Sequence, residues 1–168
     1  MTVPSELAET LAMVAEAAHG SEDEWWIIGS AAVTLLGGEV GAIKDVDLMM
    51  TVRDAEAMLR RVGASSGGAL PDKKFRSEVF GVWREPPIPV EVFGGFALAT
   101  NEGWRDVVLS TRQSVTVSGT KVFVPTVEEL TRLLHSFGRP KDLERASLLQ
   151  ASCSRNSPTE AAPSDQAK

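Results

Sequence analysis

Asp45-Val46-Asp47 stands at the head of an apolar run and is the sharpest chemical feature of the chain. In a β-strand, residues i and i+2 point to the same face, so both carboxylates project together. Two acids on one face repel and lose solvation unless a cation sits between them. Oxygen ligands in this arrangement suit Mg²⁺ (or Mn²⁺), which also recruits substrate phosphates. Spacing alone leaves open a second reading, two solvated aspartates at a strand end. Val90-Glu91-Val92 sets a third acid between β-branched residues. On an adjacent strand Glu91 would complete a two-ion clamp, with ions ~4 Å apart stabilising attacking and leaving oxygens; taken alone, it also fits an outward-facing surface residue.

The next feature is Ile28-Gly29-Ser30-Ala31, read as a strand running through a glycine into a helix. Glycine permits close backbone approach, and a helix start offers unpaired N–H groups to a phosphate. The Ser30 hydroxyl either caps the helix or donates to a phosphate oxygen. A dinucleotide fingerprint is excluded because Gly29 to Thr34 lacks the required glycines, and no Gly-Lys-Ser/Thr element exists for a P-loop. Lys44, Arg139 and Lys141 are candidate phosphate contacts or solvated surface cations. Asp142 either holds Lys141 or caps the last helix. His135 reads as part of a solvated face.

These residues need a scaffold, and the chain has the length for one. At 168 residues it can bury a core as a single domain, with 43% hydrophobic and 24% charged residues. A net charge of −6 argues against a broad basic surface for nucleic acid, while leaving room for a local polyphosphate pocket. One cysteine, Cys153, excludes an internal disulfide, and two histidines with it do not make an ordinary structural zinc site. No apolar run reaches the roughly 20 residues of a membrane span, and Met1 to His19 lacks a basic leader. The expected location is the cytoplasm.

Helical spacing of Leu7, Leu11, Val14 and Ala18 predicts a first helix, ended by Gly20. Trp25 to Ile28 reads as a buried strand, Ala31 to Leu36 as a small-residue helix, Asp45 to Val52 as a strand and Arg53 to Val62 as a helix. Residues 63–72 read as a flexible loop around Ser65-Ser66-Gly67-Gly68. Strands are expected near Glu78–Trp83 and Ile88–Phe93, and a hairpin from Gln113–Val117 and Lys121–Val124. Thr126 and Glu129 form a capping-box signature for a helix striped by Leu130, Leu133, Leu134 and Phe137. A last helix is expected from Lys141 to Leu149. The fold class is therefore α/β (α+β): a mixed twisted sheet flanked by helices, with a C-terminal helical pair. One domain is expected over residues 1–150 and a disordered tail over 151–168.

In order, the Gly29-Ser30 pair, the Asp45/Asp47 pair and the later Glu91 resemble the polymerase-β-like nucleotidyltransferase superfamily. Val124 to Leu130 followed by Gly138 to Leu143 resembles the ending of small bacterial nucleotidyltransferases related to abortive-infection toxins. The likeness spans roughly residues 24–149. It implies Mg²⁺-dependent transfer of a nucleoside monophosphate from an NTP to a hydroxyl acceptor, either a small molecule or RNA. It also implies roles: Asp45 and Asp47 for the ions and triphosphate, Glu91 for the acceptor-side ion or its proton, and Gly29 and Ser30 for the β/γ phosphates. The chain departs from this pattern at Gly41, Ile43, Leu134 and Arg145, where relatives commonly carry Arg, Thr, Lys and an acid. Those departures favour an altered substrate or, alternatively, a catalytically silent module that binds a nucleotide or a protein partner.

Overall fold

The computed structural model describes residues 2–67 and 72–156. A four-stranded mixed sheet carries the architecture. It is built from β1 (Trp26–Ile28), β2 (Val46–Met50), β4 (Val79–Trp83) and β5 (Val90–Gly94), in the order β1-β2-β5-β4. β2 and β5 run parallel; β1 and β4 pair antiparallel on either side. Its central strands alternate as half-buried sheets do. Val46, Leu48, Val90 and Val92 are fully buried, and the carboxyl-bearing Asp47 and Glu91 point the other way.

The apolar face is covered by α3 (Val52–Arg61), which buries Ala55, Met58 and Leu59. Packing there is close: a Cβ on Gly81 of β4 would meet the Leu59 side chain at 2.7 Å. Thr51 caps α3 by accepting from the Asp54 N–H. The buried Asp54 in turn accepts from the Glu22 and Asp23 N–H groups at 3.2 and 2.8 Å, tying down the approach to β1. α1 (Ser5–Ala17) buries Leu7, Leu11 and Val14, and its Thr10 hydroxyl accepts from the Ile88 N–H at 3.0 Å. α2 (Gly29–Leu35) follows β1 without an intervening residue and is almost wholly buried.

The C-terminal helical pair is α4 (Val127–Phe137) and α5 (Pro140–Asn156), packed on each other. Gly138 closes α4 with φ 67°, and Pro140 opens α5 at the position where a missing N–H costs nothing. α5 continues seven residues past Leu149. The disorder expected from Ala151 onward is therefore corrected for 151–156, where Ser152 is only 4% exposed and donates to the Leu149 carbonyl. Residues 157–168 lie outside the described residues, as do 68–71 of the expected 63–72 loop; Ser66 in that loop bridges to Gly81.

Two further sheets lie among the described residues. β8 (Gln113–Val117) and β9 (Thr120–Val124) form the expected hairpin. The second was not expected: β3 (Phe75–Arg76), β6 (Ala97–Thr100) and β7 (Gly103–Asp106) form a three-stranded antiparallel sheet. Its strands are short, and every residue of β7 is exposed, so no apolar alternation marks that strand. The capping box is only half made. Thr126 accepts from the Glu129 N–H, but Thr111 rather than Glu129 receives the Thr126 N–H.

Candidate metal centre

β2 and β5 lie in parallel register with Asp47 opposite Glu91, which puts both carboxylates on the same face of adjacent strands. Asp45 joins them from the loop, because β2 begins at Val46 rather than at Asp45 as expected. One carboxylate oxygen from each of Asp45, Asp47 and Glu91 lies within 4.8 Å of the others. Among the described residues, no Lys or Arg forms an ion pair with any of the three. The cluster is all-oxygen, triply acidic and half-buried, a donor set that fits a hard divalent cation.

Its electrostatics show what closeness costs. Desolvation, then repulsion from Asp45 and Glu91, pushes the Asp47 carboxyl up to about 8. Arg145 pulls in the opposite direction. Glu91 is also raised, by desolvation and then by Asp45, while Lys141 draws it down. Burial and mutual repulsion thus favour the protonated forms of Asp47 and Glu91 where no cation is bound.

Gly29 supplies the room. Its φ is +67°, in the left-handed region, and a Cβ there would land on the Asp47 carboxylate. Only glycine meets both demands at this strand-to-helix junction. Ser30, the next residue, is 6% exposed.

A cavity of about 240 Å³ opens onto Asp47, Glu91 and Gly29. Its wall excludes Ser30, Lys44 and Lys141. Lys44 and Lys141 are exposed, and Lys141 acts on Glu91 only through space. The cations on the wall are instead Arg76, Arg139 and Arg145. Asp142, fully buried, organises two of them. It accepts from Arg139 Nε at 2.6 Å, Nη2 at 3.0 Å and the backbone N–H at 3.2 Å, with Arg145 Nη1 at 3.8 Å. Asp142 thus caps α5 and holds Arg139, not Lys141.

The remaining wall is aromatic. Phe75, Phe96 and Phe137 contact one another with centroids 5.0–5.9 Å apart, Phe93 lies 5.0 Å from Phe96, and Arg139 lies 4.7 Å above Phe75. Sequence reasoning missed this wall. Its rings come from β3, β5, the β5–β6 turn and α4, and no local spacing connects them. Arg145 appeared only as a departure from the superfamily pattern, yet it lines the cavity, as does Leu134, another departure.

No protein-family model matches the chain, and no curated protein matches it. Solved structures do. A protein from Thermotoga maritima assigned as a nucleotidyltransferase superposes with a TM-score of 0.72 at 22% identity, covering 92% of this chain and 96% of that one. The antibiotic-resistance factor ANT(2'')-Ia gives 0.59 at 14% identity, covering 90% and 86%. The lincosamide antibiotic adenylyltransferase LnuA, with lincomycin bound, gives 0.57 at 13% identity, covering 90% and 99%. Identities this low speak to architecture, not chemistry. The chain has the nucleotidyltransferase fold.

Proposed function

We propose that this protein is a divalent-metal-dependent nucleotidyltransferase that moves a nucleoside monophosphate from an NTP to a hydroxyl acceptor. The observation that carries the proposal is the convergence of Asp45, Asp47 and Glu91 within 4.8 Å, at the edge of a cavity. In the transfer, an acceptor oxygen bonds to the α-phosphorus, the bond to the β-phosphate oxygen breaks, and pyrophosphate leaves. Asp45 and Asp47 would hold Mg²⁺ or Mn²⁺ against the triphosphate, and Glu91 would hold the acceptor-side ion or take the acceptor proton. The chemistry a bound divalent ion supplies here is charge neutralisation of the triphosphate and its leaving group. Gly29 keeps the Asp47 carboxylate clear. Ser30, Lys44 and Lys141 remain proposed nucleotide contacts; Lys141, whose charge acts on Glu91 through space, has the stronger support.

A small-molecule acceptor has more support than RNA. The cavity is compact, the net charge is −6, and two fold neighbours are antibiotic-modifying proteins. Incubation with α-phosphate-labelled NTPs, Mg²⁺ and a cell extract tests the proposal. A labelled acceptor made by wild type but not by Asp47→Asn supports it; nucleotide binding with no label transferred to any molecule counts against it.

That second outcome would favour a silent nucleotide-binding module. Its specific support is Leu134 and Arg145 on the cavity wall, where the resemblance leads one to expect a lysine and an acid.

A further inference from the structure

We infer that the acceptor side of the cavity takes a planar aromatic compound bearing an anionic group and disfavours cationic acceptors. This deepens, and rests on, the nucleotidyltransferase reading of the same site.

The aromatic half of the claim comes from the wall of phenylalanines. Phe75 and Phe96 stack at an interplanar angle of 26°, and Phe137 meets Phe75 edge-on at 83°. Phe75 and Phe96 are half-buried and keep apolar surface on the cavity, while Phe93 and Phe137 are buried. The wall, from β3, β5, the β5–β6 turn and α4, lines the same cavity as Glu91, so an aromatic ligand held there shares the space with the acceptor-side carboxylate.

The charge half follows from which groups are already engaged. Asp142 is taken by Arg139 and Arg145. Asp72 turns its Oδ1 to the N–H groups of Lys74 and Phe75 at 2.7 and 3.4 Å. Asp47 and Glu91 belong to the metal cluster. Among the described wall residues, Asp72 is the one carboxylate outside both an ion pair and the metal cluster; it is exposed, and backbone N–H groups occupy its Oδ1. The cations are less committed. Among the described residues Arg76 has no ion pair; its guanidinium lies 4.6 Å from the centroid of the half-exposed Trp104 ring. Arg139 is clamped by Asp142 on one side and lies over Phe75 on the other, so its planar fork is fixed beside the ring surface. A carboxylate or sulfonate next to an aromatic ring finds both partners together here. A polyamine finds only the exposed Asp72 and three guanidiniums that repel it.

Three phenols that share a ring and a hydroxyl separate charge from shape: 4-hydroxyphenylacetate is an anion, tyrosol is neutral and tyramine is a cation. Their dissociation constants would be measured by NMR titration of the full chain at neutral pH, with and without saturating Mg²⁺-NTP. The expected order is anion, neutral, cation, spanning about tenfold or more between the first and last. Binding of the anion should persist when Mg²⁺-NTP is present. Arg76→Gln, at an exposed position without an ion pair, should weaken the anion about threefold and leave tyrosol unchanged. Phe75→Leu should weaken all three alike. An equal or reversed order, no binding of any phenol, or an order unaltered by Arg76→Gln would overturn the inference. Displacement of the anion by Mg²⁺-NTP would give the wall to the nucleotide and overturn it as well.

The Mg²⁺-NTP melting shift, recorded on the same samples, keeps the two claims apart. A normal shift with a reversed charge order removes the acceptor assignment alone. No shift with the charge order intact removes the enzyme reading and leaves the cavity's ligand class standing.

Discussion

Gly29 and Asp47 occupy a space that admits no other residue at position 29: the Gly29 backbone has φ +67°, and its missing Cβ is where the Asp47 carboxylate lies. The β1–β2 ladder sets this up by pairing Ile28 with Asp47, which brings the following turn over the acid. Gly29→Ala should therefore cost stability through the left-handed backbone, about 1–2 kcal/mol, and displace Asp47 as well. The expected outcome is a protein that still folds, melts lower, and no longer responds to Mg²⁺-NTP. An unaltered Mg²⁺-NTP melting shift would show that Asp47 tolerates displacement.

Glu129 anchors the loop before the hairpin to α4. Its carboxylate accepts from the Ser110 and Thr111 N–H groups and from both hydroxyls at 2.7 Å. Burial alone would raise this carboxyl, but the hydrogen bonds from Thr111 and Ser110 outweigh it and hold it at about 2, against an ordinary 4.5. A depressed carboxyl contributes stability that is complete above its unfolded value and is lost as pH falls toward its folded value. Melting temperature should therefore drop from about pH 5 downward, with Glu129 contributing about 3 kcal/mol at neutral pH. Glu129→Gln should melt lower at neutral pH and show a shallower acid decline. An identical acid limb in wild type and variant would remove Glu129 as the cause.

Asp142 has no solvent exposure and two guanidiniums beside it. Removing one partner of such a group leaves buried charge uncompensated, so Asp142→Ala should cost about 3 kcal/mol or more. Asp142→Asn keeps the shape and tests the charge, and should loosen Arg139 from Phe75. Denaturant melts and the Arg139 Nε–H NMR signal would report both effects.

The last turns of α5 belong to the domain. Ser152 is buried and would lie 3.7 Å from a Cβ placed on Gly37. Truncation after Gln150 should lower the melting temperature by a few degrees relative to truncation after Asn156, since about 1 kcal/mol shifts a domain of this size by 2–4 °C. Equal melting temperatures would show that residues 151–156 add nothing.

What could be read in advance was local. Asp45, Val46 and Asp47 declare a strand edge with paired acids, and Val90 to Val92 declare its partner, because alternation is written in consecutive residues. The parallel register that puts Asp47 beside Glu91 is tertiary, and the acids' shared face followed only once both strands joined one sheet. The phenylalanine wall was illegible because Phe75 and Phe137 are 62 positions apart and meet only across the folded chain. The extra turns of α5 were hidden by a run of Ser, Cys and Arg with little apolar content, where helix continues because Ser152 is packed inside. Arg145 shows the limit of pattern: in sequence it is a departure, and in the fold it is a cation facing Asp47.

The central claim is that Asp45, Asp47 and Glu91 bind a divalent ion together with an NTP, and thermal melting of wild type against Asp47→Asn tests it most directly. Burial and its acidic neighbours already favour the protonated Asp47 carboxyl when no ion is bound, and Asn mimics that neutral form, so without ligand Asp47→Asn should melt close to wild type. With millimolar Mg²⁺ and each of the four NTPs, at least one should raise the wild-type melting temperature and leave the variant unmoved. A wild type unmoved by every NTP, or a variant that shifts as much as wild type, would contradict the assignment of this cluster as a metal–nucleotide site.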